Sequence, residues 1–271
     1  MSSSELHSSK AVASEVSRDQ QASTTTADQA LIRDLATANH ILFDQGVLDA
    51  FGHVSVRHDK DPGRFLLARN MAPGLVTESD IVEFELDGTP LNAAGRAVYL
   101  ERFIHGEIYR ARPDVVAVVH SHSPAVVPFS VVKQNPLRAL CHMSGFIGLK
   151  APNFDMRDVA GERNSLLVTD TYLGSALART LGDASLVLMR GHGSTVVADS
   201  LQKVVYRAVY TEVNARTQAE ASRLGEVTFL SEGEIEETVK LIETQVGRAW
   251  DLWRQKAALA VAALRASASA Q

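Results

Sequence analysis

The period at which apolar positions recur changes along this chain, and each change marks an element. In "ADQALIRDLATANHILFDQG", Leu31, Leu35, Ala38 and Leu42 fall at helical spacing. That predicts an amphipathic helix with Gly46 just past its end. "FGHVSVRHD", "RFLLA" and "DIVEFEL" alternate with period two, so three strands are expected, the last closed by the turn pair Asp87-Gly88. "AVYLERFIHGEIYRARPD" returns to helical spacing through Leu100, Phe103, Ile104 and Ile108 and is stopped by Pro113. "VVAVVHSHSPAVV" is a near-continuous apolar run, which reads as a buried strand ended by Pro124.

A loop-rich region follows, then a helix over "TYLGSALARTLG", a strand in "ASLVLMRGHG" and a short strand in "STVVA". Two long helices finish the chain, one from Ser200 to about Leu224 and one opened by the capping box Ser231-x-x-Glu234. Strands in the middle with helices early, between and late predict an α/β fold, a single three-layer αβα domain with its sheet covered on both sides. No repeat of fixed period and no strong domain boundary is visible. Residues 1–28 are polar and read as a flexible arm, with the globular domain spanning 28–271.

Composition narrows the function classes. The chain has 271 residues, 45% of them hydrophobic, enough for a sizeable core. A net charge of −5 offers no electrostatic footprint for nucleic acid, and no basic run suggests a membrane surface. Apolar runs fall far short of the roughly 20 residues a membrane span requires. The single cysteine, Cys141, forbids an intrachain disulfide and fits a cytoplasmic setting. The expected partner is therefore a small molecule.

The candidate chemistry sits on histidines. His120 and His122 are two apart on a strand, so they share a face at about 6.6–7 Å between Cα atoms and can hold one metal ion. Glu101 lies on the preceding helix, which can aim it at that strand end. "RGHGS" puts His192 between two glycines after another strand, on a loop expected to be flexible enough to reach the same place. Three imidazoles and a carboxylate suit a borderline divalent ion, manganese or zinc being the leading candidates.

Taken together, "GHVSVR", "LVTESDIV", "E…RPDVVAVVHSHS" and "LVLMRGHG" make residues 28 to 224 resemble the class II aldolase/adducin family. The resemblance implies a class II aldolase-like fold with a central mixed, mostly antiparallel sheet. It implies that His120, His122 and His192 bind the metal, with Glu101 either a fourth ligand or an acid/base. It also implies a homotetramer of fourfold symmetry with active sites at subunit interfaces. A proton donor from the neighbouring subunit would correspond here to His142. The adducin head, a scaffold that has lost the metal site, is the alternative of another class, and the four intact donors argue against it.

The departures concern the substrate. Family aldolases cradle a phosphate with an Asn in the first strand, a Thr-Gly pair and a Ser-Ser pair before the glutamate. Here those positions are His53, Arg69-Asn70 and Tyr99-Leu100. Tyr and Leu fill space that a phosphate cradle needs open. Arg69 offers a planar fork suited to a carboxylate, unless it is a plain surface arginine. His53, Arg69 and Tyr99 are thus the expected substrate-binding residues, and the expected substrate is a dicarboxylate. The family's metal stabilises an enediolate after C–C cleavage, and loss of carbon dioxide from a β-keto acid leaves the same kind of anion. The expected activity is metal-dependent decarboxylation of a hydroxylated aromatic or pyridine dicarboxylate. "FGHVSVR" and "ERFIHGEIYRARPDVVAVVHSHSPAVVPF" point to the branch acting on 3-hydroxy-2-methylpyridine-4,5-dicarboxylate in vitamin B6 breakdown. The same-class alternative is an aldolase, epimerase or dehydratase of a sugar or sugar acid.

Overall fold

A computed structural model of the chain describes residues 26–269. The expected arm therefore lies outside the described residues up to position 25. Thr26 already belongs to the body, its carbonyl accepting from Lys60, and Ala27 is buried. The first helix, α1 (Gln29–Asp44), starts where Asp28 caps the Ala30 amide and ends before Gly46, which adopts φ +69°. That left-handed turn is the reason a glycine stands there.

Seven strands form one sheet: β1 (His53–Arg57), β2 (Arg64–Ala68), β3 (Ile81–Glu85), β4 (Ala117–Ser121), β5 (Asn153–Phe154), β6 (Leu186–Met189) and β7 (Gly193–Ala198). Their spatial order is β3-β2-β1-β4-β7-β6-β5, antiparallel throughout except for the β5–β6 pair. The expected mixed, mostly antiparallel sheet is present. β5 was missed in the sequence because two residues cannot show a period. The same region hides two short helices, α3 (Val127–Val131) and α4 (Arg157–Ala160).

Helices cover both faces, which explains why the strands are buried almost throughout. α1 and α6 (Leu201–Leu224) pack on one face with α8 (Val246–Ser269) lying against both of them, and α2 (Arg102–Ala111) and α5 (Thr171–Leu181) lie together on the other. α6 begins as expected, with Ser200 accepting from the Lys203 amide. The final helix does not. It breaks into α7 (Glu232–Ile242), a short turn and α8, although the Ser231–Glu234 capping box opens it as expected. Glu243 at the break pairs with Arg207 at 2.6 Å and Lys203 at 3.4 Å, tying the bend to α6.

α2 also starts later than its period suggests, at Arg102. Leu100, expected on its apolar face, is 62% exposed. A turn at Ala94-Gly95 and the Arg102 guanidinium, which donates to the carbonyls of Gly88 and Tyr99, hold residues 97–100 out of the helix.

Candidate metal centre and its cavity

Strand register assembles the site. His53 on β1 pairs with His120 on β4, which pairs with Thr195 on β7, so all three side chains emerge on one sheet face, the one that carries α2. Gly52 allows the approach: it adopts φ +85°, and a Cβ there would lie 2.9 Å from the His120 carbonyl oxygen. His122 follows β4 by one residue and points the same way. His192 sits in a three-residue hairpin, Arg190-Gly191-His192, between β6 and β7. Its amide donates to the Met189 carbonyl, and Gly193 packs so closely that a Cβ would lie 2.0 Å from the Ser121 carbonyl oxygen. The expected flexible loop is thus a tight turn locked onto β4. Fixed geometry suits a metal ligand better.

Glu101 occupies the residue just before α2 rather than the helix body. Its Oε1 accepts from the Val168 amide at 2.9 Å, which turns Oε2 toward the histidines. The four donors then converge. His122 Nε2 lies 3.0 Å from both His120 Nε2 and His192 Nε2, and Glu101 Oε2 lies 3.6 and 3.5 Å from His120 and His192. All the donor atoms fall within 4.8 Å of one another.

Three ring nitrogens pointing at one another cannot all be satisfied by protons, since a neutral imidazole has one donor and one acceptor nitrogen. A cation satisfies them together. Thr195 hands its hydroxyl proton to the Met189 sulfur, so its oxygen accepts from His120 Nδ1–H at 3.4 Å and leaves the His120 Nε2 lone pair facing the cluster. Burial, reinforced by the neighbouring imidazoles, holds His120 well below its ordinary pKa and lowers His122 as well. Both would therefore meet a metal as neutral imidazoles. The donor set and its arrangement fit a divalent ion.

The cluster opens into a cavity of about 370 Å³. His53, Met71, Tyr99, Glu101, His122 and Leu167 contribute to its walls, and Phe51 and Leu100 stand exposed at its rim. Tyr99 is pushed up to about 12 by burial, and its hydroxyl donates to the Met71 carbonyl, so it shows the cavity an aromatic face rather than a proton. A second cleft, of about 310 Å³ between α6 and α8, contains none of the four donors.

Two expected site residues are not brought here within one chain. Arg69 donates through Nε to Asp80 at 2.7 Å, the carboxylate that also caps Thr77, and it does not line the cavity. His142 is exposed on a loop beside α6 and α7. That loop is held rigidly: Asn214 bonds the Leu140 amide, the Ser144 hydroxyl and the Arg138 carbonyl, and Gln218 bonds the Arg138 amide and the Pro136 carbonyl. His105 was missed. It is fully buried behind His53, with its Nε2 2.6 Å from His53 Nδ1. The signal was present, because a histidine on the inner face of a helix demands polar partners.

Comparison with known proteins identifies the family. Residues 33–219 match the model of the Class II Aldolase and Adducin N-terminal domain. The chain is 40% identical over 245 residues to Decarboxylase tropJ of Talaromyces stipitatus, covering 82% of this chain and 92% of that one. It is 30% identical to the 3,4-dihydroxyphthalate decarboxylase of Arthrobacter keyseri, over 70% of this chain and 78% of that one. Among solved structures, the L-fuculose 1-phosphate aldolase of Glaciozyma antarctica shares the fold with a TM-score of 0.68 at 23% identity, covering 84% and 88% of the two chains. The chain belongs to the class II aldolase/adducin family and is a carbon–carbon lyase.

Proposed function

We propose that this lyase is a divalent-metal-dependent decarboxylase of an ortho-hydroxylated aromatic acid, in the finer reading a dicarboxylate. The observation that carries the proposal is a complete donor set opening into an aromatic, apolar-rimmed cavity where family aldolases have small phosphate-binding residues. Decarboxylation by relatives at 40% and 30% identity supports it. His120, His122 and His192 would hold the ion, with Glu101 as fourth ligand or acid/base. Bound there, a divalent ion supplies a Lewis acid that stabilises negative charge on a substrate oxygen.

The chain's own residues supply the rest. Tyr99, Met71 and Leu167 take the ring and exclude water. The reaction needs a proton on the ring carbon that bears the carboxylate. Carbon dioxide then leaves, the electron pair of the broken C–C bond passes to the ortho oxygen, and aromaticity returns. Glu101 Oε2, already facing the cluster, is the donor one subunit offers. His142 is the donor a neighbouring subunit would add in the tetramer the family forms. The test is a screen for carbon dioxide release from dihydroxyphthalates, 3-hydroxy-2-methylpyridine-4,5-dicarboxylate and ortho-hydroxy monoacids, with manganese or zinc restored to stripped protein. Aldehyde release from sugar phosphates with no decarboxylation would replace this reading with an aldolase. Protein that binds no metal would support the interaction module.

A further inference from the structure

Tyr109, Ser55, His105 and His53 form a buried hydrogen-bonded chain running from the sheet interior to the cavity wall. Tyr109 Oη lies 2.7 Å from Ser55 Oγ, Ser55 Oγ lies 2.6 Å from His105 Nδ1, and His105 Nε2 lies 2.6 Å from His53 Nδ1. All four side chains are at most 4% exposed. The decarboxylase mechanism described above uses none of His105, Ser55 or Tyr109.

Proton counting fixes the direction of the chain. The Tyr109 hydroxyl has one acceptor in reach among the described residues, Ser55 Oγ. No other hydrogen bond of that hydroxyl to a described residue competes for its proton. The phenol proton therefore goes to Ser55. The serine's own proton has one acceptor left, His105 Nδ1. An imidazole that accepts at Nδ1 and stays neutral carries its proton at Nε2, so His105 donates to His53 Nδ1. His53 is then neutral with its proton at Nε2. Any reversal strands a buried hydroxyl proton without an acceptor, a costly arrangement. Burial keeps the His105 ring neutral, lowering it to about 3.

We propose that Tyr109, Ser55 and His105 are positioning residues that lock His53 in the Nε2–H tautomer, so that the cavity wall beside the metal ligands offers a hydrogen-bond donor to an anionic oxygen of the substrate. Two neighbouring histidines on paired strands thereby take opposite tautomers. His120 shows a lone pair at Nε2 and ligates; His53 shows an N–H and binds substrate. The identity of that oxygen as a carboxylate rests on the decarboxylase reading, but the tautomer does not.

Long-range proton–nitrogen correlation spectra of the full chain labelled at histidine nitrogens, with zinc added, read the tautomers directly. Signals are assigned with His53→Asn and His105→Phe. The expected result is Nε2–H for both His53 and His105 at neutral pH. A His53 carrying its proton at Nδ1, or doubly protonated, overturns the proposal. A second arm separates positioning from packing. His105→Phe keeps a ring but cannot donate to His53 Nδ1, whereas His105→Gln restores an N–H. On the acid found to lose carbon dioxide, His105→Phe should raise KM on the order of 10- to 100-fold, as for loss of a hydrogen bond to a charged group. His105→Gln should recover much of that, with zinc content unchanged in both. Equal losses in the two variants would make His105 a packing residue and defeat the claim. If no acid loses carbon dioxide, the decarboxylase reading fails while the spectra still decide the tautomer.

Discussion

His192 makes the plainest case at the scale of single residues, because its Nε2 faces the other candidate donors and its Nδ1 is buried with no hydrogen-bond partner among the described residues. His192→Ala should lose most bound metal and turnover while the fold persists, as measured by metal analysis and circular dichroism. Unchanged metal content would dismiss the centre. Arg69 was expected to grip a substrate carboxylate, but its Nε is engaged by Asp80 and its side chain lies outside the cavity lining. Arg69→Ala should therefore lower kcat/KM by less than about 10-fold, roughly 1.4 kcal/mol, while His53→Ala costs more. A larger effect at Arg69 would mean that the guanidinium swings in. His105 predicts a pH dependence. Its pKa is about 3 in the folded chain against an ordinary 6.5. Below 6.5 the unfolded chain takes up a proton that the folded chain refuses. Stability present above that pH is lost as pH falls toward 3, at up to about 1.4 kcal/mol per pH unit. Urea midpoints should drop from about pH 7 to about pH 5, and His105→Gln should flatten the slope by about one proton.

At the scale of elements, the β6–β7 hairpin is expected to couple folding to metal binding. A Cβ on Gly193 would strike the Ser121 carbonyl at 2.0 Å, so β7 and β4 must separate just where they present His192 and His122. Gly193→Ala should cost about 1–3 kcal/mol, as overpacking does, and weaken metal binding with it. Gly148→Ala is the comparison. That glycine has φ +76° and ψ −167°, a region essentially reserved for glycine, with open space around it, so it should cost roughly 1–3 kcal/mol in backbone strain and leave metal affinity alone. Metal titrations of the two variants separate the effects. Loss of affinity in both, or in neither, would contradict a coupled hairpin.

At the scale of the whole molecule, a single chain brings together the four candidate metal donors but not His142, which sits on the far loop that Asn214 and Gln218 clamp. α8 also carries exposed leucines, Leu252 and Leu259, that a subunit interface would cover. If the active site is shared in a tetramer, inactive His142→Ala and His192→Ala subunits mixed into verified hetero-oligomers should regain activity, because some sites then receive both intact residues. No recovery would place the proton donor within one chain and leave Glu101 to serve.

The sequence by itself determined what depends on local period and residue chemistry. The long strands, α1, α5, α6, the caps at Ser200 and Ser231, and the ligand types at 120, 122 and 192 all follow from spacing and side-chain identity. Tertiary structure decided what depends on contacts between distant segments. α2 begins at Arg102 because the carbonyls of Gly88 and Tyr99 claim that guanidinium, and the last helix breaks because Glu243 meets Arg207 on α6. Arg69 turns to Asp80 rather than the cavity. The tautomer of His53 is the furthest from the sequence. It is set by the Ser55 hydroxyl on its own strand and by the His105 imidazole and Tyr109 phenol on α2, and a proton's position on a ring follows from where its partners lie in space.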